Sequence, residues 1–214
     1  MELYPAIFYA LLEAEGDMNM GIIARWEWRT FGEGSFGKCE EAMRSFGLDS
    51  NKKTEELYIL SNKSNENVKI RFDVVDVKSL QNVNEDKLEQ WLPVLKTGFP
   101  ISADSLKELF VIFKVPAPEF KRAEYTYEEF LEELIKPCCE LKIVEVKKNR
   151  DIFKIENATT EIAEAEFNGK PCRTICVEHE DPALVMKVVN DLGLENQPNV
   201  NYIQAMKKSV GMDA

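Results

Sequence analysis

Residues 67–78 read NVKIRFDVVDVK, and the alternation in this stretch decides how the rest of the chain is read. Val68, Ile70 and Phe72 fall on one side of an extended backbone, Lys69, Arg71 and Asp73 on the other. Past Asp73 the pattern resumes, with Val75 and Val77 against Asp76 and Lys78. Successive side chains on a strand point to opposite sides, so this period of two predicts two short strands, each with an apolar and a charged face. Taken alone, such a hairpin leaves its charged face in water, as antiparallel sheets commonly do.

The same alternation returns along the chain. Upstream, Ile22 to Phe31 sets Arg25, Glu27 and Arg29 against Trp26 and Trp28. Two tryptophans on one face need an apolar cover, which assigns the helices to that side. Glu55 to Ser61 is a second strand, and Leu92 to Gly98 reads as a bulged or edge strand because of Pro93. Downstream, Leu141 to Arg150, Ile152 to Glu156, Thr160 to Phe167 and Arg173 to Glu178 are strand-like, with Asn168-Gly169 a hairpin turn. Helices are expected at Ser35–Phe46, Ser102–Phe113, Tyr127–Ile135, Asp181–Leu192 and Val200–Val210. In Asn199-x-Asn201-Tyr202 a helix start is the commoner explanation, and ligand contact the alternative. The expected class is α+β: an eight-stranded antiparallel barrel with flanking helices, one domain over 1–214. Within it, 1–20 is a helical extension and 181–214 holds the last helices.

Strand positions opposite the apolar face are Arg25, Glu27, Arg29, Lys69, Arg71, Asp76, Lys78, Lys96, Lys148, Arg150, Glu164, Glu166 and Glu178. Bases outnumber acids there, although the chain as a whole carries 38 acids against 27 bases and a net charge of −11. An eight-stranded sheet can close around a small ligand. With the charged face inside, the Trp, Val and Ile face is left for the helices. Charges of both signs facing a tunnel need partners. A polyanion with a divalent metal ion supplies both, since Arg and Lys bind phosphate oxygens while Asp and Glu bind hard cations.

In this order of charged strands the chain resembles the CYTH, or triphosphate tunnel metalloenzyme, superfamily. The residues carrying the resemblance are Glu27 and Arg29 in RWEWR, Lys69-x-Arg71, Lys78, Lys148-x-Arg150, and the late acids Glu164, Glu166 and Glu178. The resemblance implies an antiparallel tunnel that binds a small polyanionic phosphate. It also implies hydrolysis of inorganic triphosphate or of an organic or nucleoside triphosphate, with Mg²⁺ or Mn²⁺. On that pattern Lys69, Arg71 and Arg29 act in catalysis, and Arg25, Lys78, Lys96, Lys148 and Arg150 bind substrate. Glu27, Glu164, Glu166 and Glu178 hold the metal. One position departs from the pattern: Arg25 stands where the opening motif has its first glutamate, which favours simple anion binding.

Composition sets outer limits. An acidic surface argues against non-specific binding to nucleic acid or an anionic membrane. Cys39, Cys138, Cys139, Cys172 and Cys176 form an odd set without a signal peptide, which fits reduced thiols in the cytoplasm. His179 is the single histidine, so a zinc site is not expected. The apolar run Ala6–Leu12 is too short to span a bilayer, and Met18 and Met20 offer alternative translation starts.

Overall fold

The structure, a computed structural model, describes residues 23–32, 34 and 36–212. The expected N-terminal helix and the alternative starts lie outside them. The elements in chain order are β1 (Arg25–Gly32), α1 (Lys38–Ser45), β2 (Ser50–Ser61), β3 (Asn67–Arg71), β4 (Val74–Val83) and β5 (Glu89–Gly98). A short pair, β6 (Ile101–Ser102) and β7 (Glu124–Tyr125), brackets α2 (Ala103–Phe113). Then come α3 (Tyr127–Glu129), β8 (Leu141–Ile155), β9 (Ala158–Phe167), β10 (Lys170–His179), α4 (Pro182–Asp191) and α5 (Tyr202–Val210).

Eight of these strands close into an antiparallel barrel in the order β1-β10-β9-β8-β2-β3-β4-β5, with β5 returning to β1. Its outer apolar face is where the helices lie. Trp26, Trp28, Ile162, Ile175 and Val177 pack with Val185, Val188 and Val189 of α4. Ile59, Val68, Ile70, Val75 and Val77 pack with Leu106, Leu109 and Phe110 of α2 and with Phe130 and Leu134. Helix starts follow their capping residues. Asp181 accepts from Ala183 N ahead of Pro182, and Thr126 and Asn201 each form a reciprocal capping box.

Turns account for the differences from the sequence reading. Phe72, expected on the apolar face of a strand, is instead a turn residue with φ 52° and is exposed, because β3 ends at Arg71. Phe72-Asp73, Glu156-Asn157 and Asn168-Gly169 all have both φ values positive, the geometry that suits a two-residue hairpin. Residues 141–155 form one strand rather than two, since Asp151 continues the pairing to β2 and β9. Strand β5 accommodates Pro93 beside register shifts at Val77/Lys78 and Leu80/Asn82. The helix at Tyr127 continues as a π-helical stretch over Phe130–Ile135.

Candidate functional site

Register determines what faces inward. Side chains alternate along each strand, so every residue directly opposite an inward one is inward too. Beginning at Arg29, the ring passes to Cys176 of β10 and Glu161 of β9. On the far side, Tyr58 is opposite Lys69, Lys69 opposite Asp76, and Asp76 opposite Lys96. Lys148 stands opposite Thr54 and Ala165, and Arg150 opposite Ala163. Glu27 is opposite Glu178 on one side and Glu89 on the other.

Two buried networks occupy this interior. In the first, Arg29 donates through Nε to Glu27 Oε1 at 2.9 Å, and through Nη1 to Glu161 Oε1 at 3.2 Å and Thr174 Oγ1 at 3.3 Å. Arg150 Nη1 lies 3.7 Å from Glu161 Oε2. In the second, Lys148 Nζ donates to Glu56 Oε2 at 2.7 Å and to the Tyr58 hydroxyl at 2.8 Å. That hydroxyl donates on to Glu56, and Arg71 reaches the other Glu56 oxygen at 3.4 Å. Lys69 pairs with Asp76 at 3.6 Å. The Tyr202 ring joins the two networks, with Arg29 Cζ 4.5 Å and Lys148 Nζ 4.0 Å from its centroid.

Burial and neighbouring charge set the protonation states. Burial pulls Lys148 down to about 8, aided by the charge on Lys69, and Glu56 only partly offsets this. Burial would raise Glu56, but Lys148, Lys69 and Arg71 together hold it at about 2. The Lys148–Glu56 pair is therefore ionised between those values. Burial likewise lowers Lys69. It works to raise Glu27, where Arg29, Lys78 and Lys148 prevail and bring it below the usual carboxylate range. Glu89 is raised, first by burial.

Helix α5 closes one end of the barrel. Tyr202, Ile203 and Met206 pack against Tyr58, Leu60, Val144, Val146, Ala165 and Phe167, which stand on the inward side of their strands. Asn199 Oδ1 accepts from Arg29 N, and Val200 N donates to Arg29 O, so this segment lines the β1 edge beyond its pairing with β5. Asn201 caps α5 through Oδ1 while its Nδ2 donates to both Glu89 carboxylate oxygens at 2.9 Å. At the opposite end, where β1 begins and β10 finishes, a cavity of about 250 Å³ is lined by Arg25, Glu27, Lys78, Trp91, Pro93 and Glu178.

The expected site residues divide accordingly. Arg25, Glu27, Arg29, Lys69, Arg71, Lys78, Lys148, Arg150 and Glu178 share the inner face, with Arg25 half-exposed and 3.6 Å from Glu178. Lys96 shares the register row but is exposed near the end of β5. Glu164 and Glu166 do not join them. They have the parity of Ile162, which packs outward with α4, and both are exposed. A larger groove of about 780 Å³ runs along β2, β8, β9 and β10, lined mainly by outward charges such as Lys53, Lys147, Glu164 and Glu166 and bordered also by Lys148 and Ala165. Inward charge favours the smaller cavity as the site.

Glu161 is the inward acid of β9 that the sequence reading missed, and Glu56, Glu89 and Tyr58 were missed as well, while Tyr202 entered it only through the ligand-contact alternative to a helix start. The expected metal set is thus dispersed. Glu164 and Glu166 face out, Glu27 serves Arg29, and Glu178 serves Arg25. Among the described residues no three acid, histidine or cysteine side chains are grouped to hold a metal ion. As arranged, the interior does not fit Mg²⁺ or Mn²⁺.

Fold and inner face together define a closed eight-stranded antiparallel barrel with a charged interior, the architecture the resemblance implied. No protein-family model matches the chain, and no curated protein matches it. Among solved structures, the chain is similar to HpAC1 from Hippeastrum, described as having a dominant triphosphatase activity. The identity is 12% and the TM-score 0.48, over 86% of this chain and 96% of that one. It is also similar to the PH1012 protein from Pyrococcus horikoshii OT3, at 18% identity and TM-score 0.47, over 83% and 97%. The likeness is one of fold.

Proposed function

We propose that the tunnel binds the triphosphate group of a small anion, inorganic triphosphate or an organic or nucleoside triphosphate, at its open end. The observation that carries this reading is the gathering of Arg25, Arg29, Lys69, Arg71, Lys78, Lys148 and Arg150 onto the inner face of a protein with net charge −11. Cations enclosed by low-dielectric walls focus their field on an incoming anion. Lys78 supports the open end as the first contact. It lines the cavity and enters no ion pair among the described residues. Arg25 and the dispersed acids favour binding over hydrolysis.

A second reading, hydrolysis assisted by Mg²⁺ or Mn²⁺, has one observation in its favour. Glu178, Glu27 and Glu89 form a single cross-strand row, so rotation of their side chains away from Arg25, Arg29 and Asn201 would bring three carboxylates together. In either reading the ligand is small, nucleic acid and membrane are not partners, 1–214 is one tunnel domain, and the location is cytoplasmic. Among the described residues no helix is long and apolar enough to cross a membrane.

Calorimetry with inorganic triphosphate tests the first reading, and the absence of any binding heat or melting shift would remove it. Phosphate release measured with Mg²⁺, with Mn²⁺ and with EDTA decides between the readings. Metal-dependent turnover establishes hydrolysis, while binding without turnover establishes the binding module.

A further inference from the structure

Strand β2 begins at Ser50, but β3 stops at Arg71, and the two pair at Leu57 and Tyr58. Among the described residues, 50–55 therefore have β8 alone as a ladder partner, at the open end of the barrel. Lys148 faces inward and stands opposite Thr54. Two positions further out on β8, Arg150 stands directly opposite Lys52. Side chains two apart on a strand share a face, so Lys52 and Thr54 belong to the inner wall.

This corner is unbalanced within the protein. Like charges directly opposite one another on a sheet repel, and Lys52 and Arg150 are placed that way. The acid nearest Arg150 is Glu161 at 3.7 Å, which Arg29 already holds. No ion pair reaches Lys52 among the described residues. Arg150 Nε and Thr54 Oγ1 are both shielded from water and have no hydrogen-bond partner among those residues. A polar group withdrawn from water and left unpaired costs stability. A phosphate group has the charge to offset both cations and the oxygens to accept from ammonium, guanidinium and hydroxyl alike.

We propose that Lys52 and Thr54 join Arg150 in a phosphate subsite on the β2–β8 wall, which takes the terminal phosphoryl group of the ligand and makes the tunnel prefer triphosphate to diphosphate. The inference rests on the reading of the tunnel as a phosphate site. Lys148 is the inward residue of β8 just below Arg150, so a phosphate chain held by the deeper cations meets Arg150 and Lys52 at its outer end. Diphosphate, one phosphoryl group shorter, leaves this subsite empty.

The test uses the full chain, with inorganic triphosphate and pyrophosphate as calorimetric probes. Lys52→Met should weaken triphosphate binding about 10-fold, the loss of one charge-assisted contact, and leave pyrophosphate within about 2-fold. Lys53→Met removes the same charge one position along, on the outer face beside the larger groove, and should change neither affinity. The melting temperature of Lys52→Met should equal or exceed that of wild type, because a repulsion is removed. Unchanged triphosphate affinity in Lys52→Met, equal losses for the two anions, a matching loss in Lys53→Met, or a lowered melting temperature would overturn the subsite and leave the tunnel reading intact. A wild type that binds neither anion would overturn the tunnel reading, and the subsite with it.

Discussion

Lys148–Glu56 inside the barrel and Lys187–Glu156 on its surface are the same kind of pair at almost the same separation, 2.7 and 2.6 Å. They behave in opposite ways. The inner lysine is pulled down to about 8, because burial withdraws water from its charge faster than Glu56 replaces it. The outer lysine, wet and bonded also to Asp191, is pushed up to about 12 by those hydrogen bonds. Contact geometry does not distinguish the two; desolvation does. A surface pair can be lost with little consequence, whereas each inner charge depends on the partner it has, or on a ligand that takes the partner's place.

The largest effect expected from breaking this contrast is at Glu56. Glu56→Gln leaves Lys148 and Arg71 without their shared carboxylate, and should cost about 3–5 kcal/mol of stability by denaturant unfolding, the range for stripping one member from a buried pair. The matching surface change, Glu156→Gln, should leave the unfolding midpoint where it was. Comparable losses from both would mean that burial is not what separates the pairs.

Acid titration sharpens the comparison. Glu56 is held at about 2 in the folded chain against 4.5 for an unperturbed glutamate. Its contribution is thus fully present above about pH 4.5 and is lost as pH falls towards 2. Wild type should lose stability through that window more steeply than Glu56→Gln, as followed by urea unfolding at successive pH values. Lys148 has the opposite sense. Its folded value is depressed, so its charged form is a cost that persists below about pH 8 and is relieved as pH rises from there towards 10.5. Stability should climb across that interval in wild type and not in Lys148→Met.

Lys78 offers a smaller effect of a different kind. With no ion pair to lose, and with Arg29 still bonded to Glu27, Lys78→Met should weaken triphosphate binding about 10-fold in calorimetry while changing the melting temperature little. A large drop in melting temperature would show that Lys78 is a structural charge after all. Smallest of all should be Glu164→Gln and Glu166→Gln. Both face water, and neither should change triphosphate affinity, whereas Glu161→Gln takes an acceptor from Arg29 and should lower stability.

The β9 segment illustrates how far a sequence carries this kind of reading. TEIAEAEF holds acids on both parities: Glu161 aligns with Ala163 and Ala165, and Glu164 and Glu166 with Ile162. A period of two separates the sets without saying which points inward. The acid-rich set suits a charged interior, but Ala165, on the other parity, is what packs with Tyr202 and Phe167 within the barrel. Glu56 was hidden similarly, next to Glu55 on a strand whose two faces are both mixed. On β1, by contrast, Trp26 and Trp28 against Glu27 and Arg29 left no ambiguity, and the helices cover the tryptophans as expected.

By itself, then, the sequence determined most of the strands, the Asn168-Gly169 turn, the helix starts at Asp181 and Asn201, and the collection of basic side chains on one face. These are local properties, encoded in residues no more than a few positions apart. Tertiary structure alone decided which acid meets which base and that Tyr202 enters the barrel between cations from β1 and β8. The Lys148–Glu56 and Arg29–Glu161 pairs join residues 92 and 132 positions apart. They follow from strand order, register and the removal of water on closure, which no local pattern carries.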